Sequence, residues 1–157
     1  PHGNTGDRVW GEDEFLLNDY GAKYNDYPAD ITRTFCVGEP TDQMKAMYEA
    51  VYQANKAARE FARPGVTCHE VDRVARQVIE DAGFGEYFIH RLGHGLGLSV
   101  HELPNIVSGN HTVLEPGMVF TIEPGVYIPQ VGGVRIEDNV VVTEDGVRVL
   151  TSYPREL

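Results

Sequence analysis

Residues 13–37, DEFLLNDYGAKYNDYPADITRTFCV, decide how the fold of this chain begins. Residues 13–20 contain an apolar run, and residues 29–37 are rich in β-branched and aromatic side chains, so both segments predict β-strands. Between them, residues 21–28 hold the Gly, Asn, Asp and Pro that favour turns. The stretch therefore predicts a β-hairpin.

Two helices are predicted after this hairpin. The first begins after Thr41 and ends before the Pro-Gly pair at 64–65. The second begins after Thr67, where Glu70 completes a capping box, and Gly83 caps its other end. Asp42, Asp72 and Asp81 are expected on the solvated faces. The buried faces recur at three- and four-residue steps: Met44, Met47, Val51, Ala54, Ala58 and Phe61, then Val71, Val74, Ala75, Val78, Ile79 and Ala82.

Strands are predicted again beyond the second helix. Residues 88–98 are too rich in glycine for a stable helix, and residues 119–128 and 134–142 have strand character. A tight turn at 144–146 leads into a last strand at 147–150. The order of strands, two clustered helices and further strands predicts an α+β fold, with a curved antiparallel sheet carrying the helices on its outer face.

Composition narrows the partners and the compartment. The 157 residues are enough for one domain, and the net charge of −11 disfavours nucleic acid and anionic membrane surfaces as partners. A solvated surface is the commoner cause of such acidity, although bound cations would also account for part of it. No apolar run is long enough to span a bilayer. Two cysteines without CxxC spacing indicate a reducing cytoplasm.

Side chains that metals favour recur beside the predicted strands. Asp19 and Asp30 would face each other across the open end of the hairpin, and Glu123 follows an apolar run that should place it near the core. Taken alone, the aspartates are more often turn residues, and Glu123 is equally an ion-pair partner or a surface residue. With His94 and Glu137 they make four carboxylates and one imidazole, which can hold two divalent cations. The combination indicates a two-metal hydrolase.

Three further residues, His90, His101 and Arg135, accompany the five candidate ligands. His90 and His94 would share one face of a Gly-rich strand, with His101 just beyond, although a lone histidine is usually structural. The glycines around His94 would let backbone or substrate approach closely. Arg135 and Glu137 are two apart on a predicted strand and so share a face. A plain alternation of surface charge is the commoner reason for that spacing.

Six motifs together resemble those of the pita-bread metallopeptidases, which include methionine aminopeptidases, prolidases and aminopeptidase P. The resemblance covers nearly the whole chain. The motifs are PHG (1–3), NDYG (18–21), ADITRTF (29–35), HRLGHGLGLSVHE (90–102), EPGMVFTIEPGVY (115–127) and GGVRIEDNVVVTEDG (132–146).

The resemblance implies a role for each of the five candidate ligands. Asp30 and Glu137 resemble the carboxylates that bridge two metal ions. Asp19 resembles the ligand of one ion, while His94 and Glu123 resemble the ligands of the other. Such a mostly oxygen-based set suits Mn²⁺, although Co²⁺ and Zn²⁺ would also bind.

The Xaa-Pro branch of the family is the best match. His90, four residues before His94, and Arg135 are similar to the prolidase and aminopeptidase P pattern, and both would orient substrate and ligands. His2 and His101 resemble the active-site histidines that stabilise the scissile amide or its oxyanion. A metal-bridging hydroxide would attack the carbonyl before proline, with Glu123 taking its proton. The alternatives are a methionine aminopeptidase and a non-catalytic pita-bread module that binds without catalysis.

The resemblance also implies partners. Family members carry more chain before the PHG motif, so residues 1–157 would form the C-terminal portion of the catalytic domain. The N-terminal part would then exist as a separate chain, a cleaved piece or an undetermined segment. The substrate would be a small peptide containing proline. Relatives in the Xaa-Pro branch are commonly dimers, which implies a homo-oligomer.

Overall fold

The computed structural model describes Gly3 and residues 6–157. All strand pairs in this part of the chain are antiparallel. In chain order the elements are β1 (Glu14–Tyr24), β2 (Tyr27–Val37), α1 (Asp42–Phe61), α2 (Cys68–Asp81), a 3-10 helix (Gly85–Tyr87), β3 (Gly93–Gly95), β4 (Glu102–Ile106), β5 (Val119–Ile122), β6 (Gly125–Ile128), β7 (Gly132–Arg135), β8 (Asp138–Val142) and β9 (Val147–Val149). The predicted α+β fold is confirmed.

The β1–β2 hairpin is longer than the sequence predicts. Its turn is only Asn25 and Asp26, which have φ angles of 48° and 68°. Two consecutive residues with positive φ form the turn that matches the natural twist of a hairpin, so pairing continues through the predicted loop. The expectation that Asp19 and Asp30 meet at the open end is therefore wrong. Asp19 pairs with Thr32 and Asp30 with Gly21, which makes the aspartates diagonal neighbours on one face.

The predicted helix caps are confirmed. The Thr41 side chain accepts a hydrogen bond from the Met44 amide, and Thr67 and Glu70 form both bonds of a capping box. Two predictions about these helices are wrong. Ala82, expected on the buried face, is exposed just beyond the end of α2, and Asp72 is fully buried instead of solvated. It is paired with Arg76 on the next turn of α2, at 3.1 Å, and that pairing compensates its burial.

Helices and candidate site lie on opposite faces of the main sheet, whose strand order is β4-β3-β5-β8-β9. Phe120 and Ile122 of β5 belong to the same buried cluster as Val51 and Ala58 of α1. Since side chains alternate along the chain, Thr121 and Glu123, on either side of Ile122, face the other way. Neither helix, within the described residues, has the length and apolar character that crossing a membrane requires.

A long hairpin of residues 119–142 is interrupted on both of its arms. The register that pairs Ile122 with Asp138 is the same register that pairs Gly125 with Arg135. Glu123 therefore lies opposite Glu137. Strand pairing is interrupted beside them, where Pro124 lies opposite Ile136. Proline has no N–H to donate, so the ladder loses one bond there. The predicted continuous strands are thus each divided in two, although their register is kept.

Strand β3 is much shorter than the predicted strand at 88–98. His94 is in it, but His90 lies outside it, so the expectation that both histidines share a strand face is wrong. Two glycines let the neighbouring backbones approach, as predicted. A Cβ on Gly93 would lie 1.8 Å from the Thr121 carbonyl oxygen, and one on Gly95 would lie 2.2 Å from the Leu103 carbonyl oxygen.

This close approach gives a test of the fold. Gly93→Ala is expected to lower the free energy of unfolding by about 3 kcal/mol, because the obstructing atoms belong to backbone that cannot rotate away. Chemical denaturation would measure the loss. Gly146→Ala is the control, since no atom lies within 4 Å of the added methyl group. Equal stability of the two variants would contradict the described packing of β3 against β5.

Candidate metal centre

Five side chains from four separate segments converge on one face of the sheets. Two groups of possible ligands, each with its oxygen and nitrogen atoms within 4.8 Å of one another, share Glu137. One group contains His94 and Glu123, and the other contains Asp19 and Asp30. Asp30 also reaches the first group, with its Oδ2 3.8 Å from His94 Nε2. Asp30 and Glu137 therefore lie between the other three side chains.

Backbone constraints hold these five residues in place. The diagonal pairing of the β1–β2 hairpin presents Asp19 and Asp30 on one face. The amide of Glu123 donates to the Leu92 carbonyl at 2.8 Å, and the amide of Glu137 donates to the Thr32 carbonyl at 3.0 Å. Both glutamates follow a buried isoleucine, so strand alternation turns them toward the site.

His94 presents a single nitrogen to the cluster. Its Nδ1 lies 3.0 Å from the Gly95 carbonyl oxygen, which makes Nδ1 the protonated nitrogen. Nε2 is then left with a lone pair and lies 3.3 Å from Glu123 Oε1. This is the arrangement that orients a histidine as a metal ligand through its second nitrogen.

Arg135 links Asp19 to Glu137 through the hydroxyl of Thr32. It is buried, forms an ion pair with Asp19, and donates from Nε to Thr32 Oγ1 at 3.1 Å. The same Thr32 hydroxyl donates to Glu137 Oε2 at 2.6 Å. Arg135 and Glu137 thus reach a common partner, as their predicted shared face requires.

Tyr127 connects His90 to this network. Its hydroxyl lies 3.0 Å from His90 Nε2 and accepts from Arg135 Nη1 at 3.0 Å. His90 Nδ1 is 2.7 Å from the Arg91 carbonyl oxygen, so His90 donates there and accepts at Nε2 from the tyrosine. His90 therefore stands behind the cluster, three hydrogen bonds from Asp19 by way of Tyr127 and Arg135.

The other two predicted histidines differ in position. His101 is exposed, and its ring stands perpendicular to that of His94 with the centroids 4.3 Å apart. One His101 nitrogen lies close enough to His94 and Asp30 to make a third group of possible ligands. His2 lies outside the described residues, so its predicted role stays a prediction.

The charges of the cluster are unfavourable without cations. Burial, opposed by a hydrogen bond from Thr121, raises the pKa of Glu123 to about 7. Burial and the adjacent carboxylates of Glu123 and Asp30 raise the pKa of Glu137 well above its usual range. Burial, followed by repulsion from Asp19, raises the pKa of Asp30. Directly opposed like charges in a sheet repel one another, so the cluster needs protons or cations.

The donor atoms fit divalent metal ions. Glu137 Oε1 is buried and has no hydrogen-bond partner among the described residues, which is a costly state for a carboxylate oxygen. Burial lowers the pKa of His94 to about 4, so its imidazole is neutral at neutral pH, as a ligand must be. Four carboxylates and one neutral imidazole make a hard, mainly oxygen-based set.

Two cavities adjoin the cluster. One of about 360 Å³ is bordered by Asp19 and Asp30, with Val100 also in its wall. A larger cavity of about 760 Å³ is lined by Asp30, Glu102 and Asn139 together with apolar side chains. Space for a ligand thus reaches the metal-ligand cluster from the side of Asp30.

Sequence reasoning did not single out three of the residues that position the ligands. Thr32 and Tyr127 join Arg135 to its partners, and the Thr121 hydroxyl donates to Glu123 Oε1 at 3.1 Å while accepting from the His94 amide. The only available signal was their spacing: Thr32 and Thr121 are each two residues from a predicted ligand, which puts them on the same strand face.

Comparison with known proteins gives a consistent family. Residues 1–144 match the sequence profile of Metallopeptidase family M24. An Xaa-Pro dipeptidase of Pyrococcus furiosus is 51% identical over 157 residues, which are 100% of this chain and 45% of that protein. The crystal structure of a prolidase from Pyrococcus horikoshii superposes with a TM-score of 0.97 at 50% identity, covering 100% of this chain and 45% of the prolidase.

A more distant structure shares the fold. A variant of aminopeptidase P from Escherichia coli superposes with a TM-score of 0.82 at 31% identity, over 90% of this chain and 39% of that protein. The chain spans less than half the length of the curated relatives that it matches, 45% in the case of the Pyrococcus furiosus dipeptidase.

The electrostatics predict a pH effect on the metal-free protein. Near pH 7 the folded chain still keeps part of the proton on Glu123, whose pKa is about 7, whereas the unfolded chain, with a pKa of 4.5, has released it; the raised pKa of Glu137 acts in the same direction. Stability should therefore fall as pH rises, by about 1.4 kcal/mol per pH unit for each carboxyl still protonated. His90 and His94, with pKa values lowered from 6.5 to about 4, oppose this trend only below pH 6.5.

Denaturant unfolding of the protein treated with a chelator, from pH 6.5 to about 8, would measure this slope. The control is the same series with saturating Mn²⁺, in which the cations replace the protons and the slope should vanish or reverse. A metal-free stability that is flat or rises over this range would contradict the described crowding of carboxylates.

Proposed function

Because the chain belongs to Metallopeptidase family M24, we propose that its protein is a dinuclear metal-dependent exopeptidase that cleaves the peptide bond before proline. The observation that carries the proposal is the convergence of Asp19, Asp30, His94, Glu123 and Glu137 into two ligand groups that share Glu137. The names of the relatives, Xaa-Pro dipeptidase and prolidase, support the choice of substrate class.

The bound ions would hold the reacting groups in place and add charge that the chain lacks. Two divalent cations supply Lewis acidity, which polarises a carbonyl oxygen and lowers the pKa of a water molecule. Asp30 and Glu137 would contact both ions, Asp19 one of them, and His94 and Glu123 the other. Mn²⁺ is the metal we propose, because carboxylate oxygens dominate the set, with Co²⁺ and Zn²⁺ as substitutes.

Glu123 is the proposed general base. A carboxyl whose pKa lies at about 7 exchanges protons readily at neutral pH. Thr121 donates to its Oε1 and so fixes its orientation. Bound cations would lower this pKa again, which leaves Glu123 ionised and ready to accept a proton from the attacking water.

His101 and Arg135 have different tasks. His101 is exposed at the edge of the cluster and would donate a hydrogen bond to the scissile amide or to the developing oxyanion, with His2 assisting. Arg135 is buried and paired with Asp19, so it would orient that ligand, and His90 would orient Arg135 through Tyr127. The bond before proline has no N–H, so the site need not satisfy that donor.

The proposed partners are a small proline-containing peptide and a second copy of the protein. Cys36 and Cys68 are both free thiols, which supports the cytoplasm as the compartment.

A cleavage assay on the natural full-length protein tests the proposal. With Mn²⁺ present, an X-Pro dipeptide or an X-Pro-Y peptide should be cleaved, and a Met-Ala peptide should not. Preference for Met-Ala would instead assign a methionine aminopeptidase. Absence of bound metal after incubation with Mn²⁺ would point to the non-catalytic binding module.

Glu123→Ala should abolish turnover, and unchanged activity would refute its role as base.

Removal of a shared ligand gives a second measurement. Glu137→Gln keeps the shape of the side chain but loses the charge that both ions would share, so bound metal should fall from two equivalents to one or none, with loss of turnover. Metal content by elemental analysis would show this directly. The matched control is Glu144→Gln, in the exposed turn before β9, which should keep both metals. Full occupancy in Glu137→Gln would overturn the assigned bridging role.

A further inference from the structure

Asn55 is a fully buried polar residue on α1, on the opposite side of the sheet from the ligand cluster. Its side-chain nitrogen donates to two backbone carbonyls, those of Ile122 at 3.1 Å and Ile136 at 3.3 Å. These residues immediately precede Glu123 and Glu137. One amide group thus contacts the chain just before each of the two glutamates.

The interrupted hairpin explains why Asn55 is needed there. The Ile136 amide donates weakly to the Pro124 carbonyl, at 3.4 Å, and in a regular ladder Pro124 would donate back to the Ile136 carbonyl. Pro124 has no N–H, so that return bond cannot form. The Asn55 amide supplies the missing donor from the helix side. Without it, a buried carbonyl next to Glu137 would have lost its partner.

Arg59 holds the Asn55 amide in this orientation. Arg59 Nε donates to Asn55 Oδ1 at 2.7 Å, so the oxygen faces the arginine and the nitrogen faces the two carbonyls. Arg59 is in turn 3.7 Å from the buried carboxylate of Asp138, the residue after Glu137. The orientation of the Asn55 amide is therefore fixed, and Asn55 and Arg59 together reach the residues on either side of Glu137.

We infer that Asn55 is a positioning residue for the metal centre, which sets the separation of Glu123 and Glu137 by bridging the carbonyls that precede them. This inference rests on the proposed function, because it concerns how that site holds two ions. A shift of either backbone segment would move a carboxylate relative to the other ligands, and residues that orient ligands typically change metal affinity by about 10- to 100-fold when removed.

The test uses Asn55→Leu, of similar volume but without the donors, in the full-length protein. Binding of Co²⁺ followed by its visible absorption should show the second ion bound about 10-fold or more weakly, with a changed spectrum. The kcat at saturating metal should also fall, with KM nearly unchanged. Val51→Ala is the matched control, because it removes buried volume from the same helix without removing a hydrogen-bond donor from either carbonyl. It should lower the melting temperature while keeping wild-type Co²⁺ affinity and spectrum.

A rescue separates positioning from mere loss of packing. Pro124→Ala supplies an N–H directly opposite the Ile136 carbonyl, so the double variant of Asn55→Leu with Pro124→Ala should regain part of the lost affinity. Unchanged Co²⁺ affinity in Asn55→Leu, or an equal loss in Val51→Ala, would overturn the inference while leaving the proposed function intact. Failure of the wild-type protein to bind two ions would instead overturn the proposed function.

Discussion

Burial of several carboxylates against one another is the constraint on which the rest of this structure depends. Glu123 and Glu137 stand opposite each other on adjacent arms of a hairpin, and Asp30 approaches both ligand groups. Such an arrangement is costly in a protein interior unless positive charge or protons neutralise it. Arg135 neutralises only the charge of Asp19, with which it forms an ion pair. The remaining negative charge would favour divalent cations as occupants.

Hydrogen bonds to the backbone keep this unfavourable cluster from spreading apart. Thr32 contributes its carbonyl to the Glu137 amide and its hydroxyl to the Glu137 carboxylate. Arg33, the next residue, faces the other way and donates to the Glu137 carbonyl at 2.6 Å and to Asp138 at 2.8 Å. Two adjacent residues of β2 thus hold Glu137 from both faces of the sheet.

Much of this site follows from strand periodicity. Alternation correctly put Arg135 and Glu137 on one face, and the cap residues Thr41 and Thr67 correctly located both helices. What the sequence could not supply was pairing between distant strands. The turn at Asn25 and Asp26 places Asp19 and Asp30 within the paired strands instead of at the open end of the hairpin. The φ angles of the turn residues decide this register, and composition alone does not. Asp72 looked solvated because its partner, Arg76, becomes a reason for burial only after α2 packs.

The unbroken register across residues 119–142 has a consequence for how this segment can vary between proteins. Each glutamate ligand follows a core isoleucine, and a strand offers no third direction for a side chain. One inserted or deleted residue in either arm would send a carboxylate into the hydrophobic core and an isoleucine into the metal site. Proteins that keep this centre are therefore expected to diverge here by replacing residues, never by changing the length of the segment.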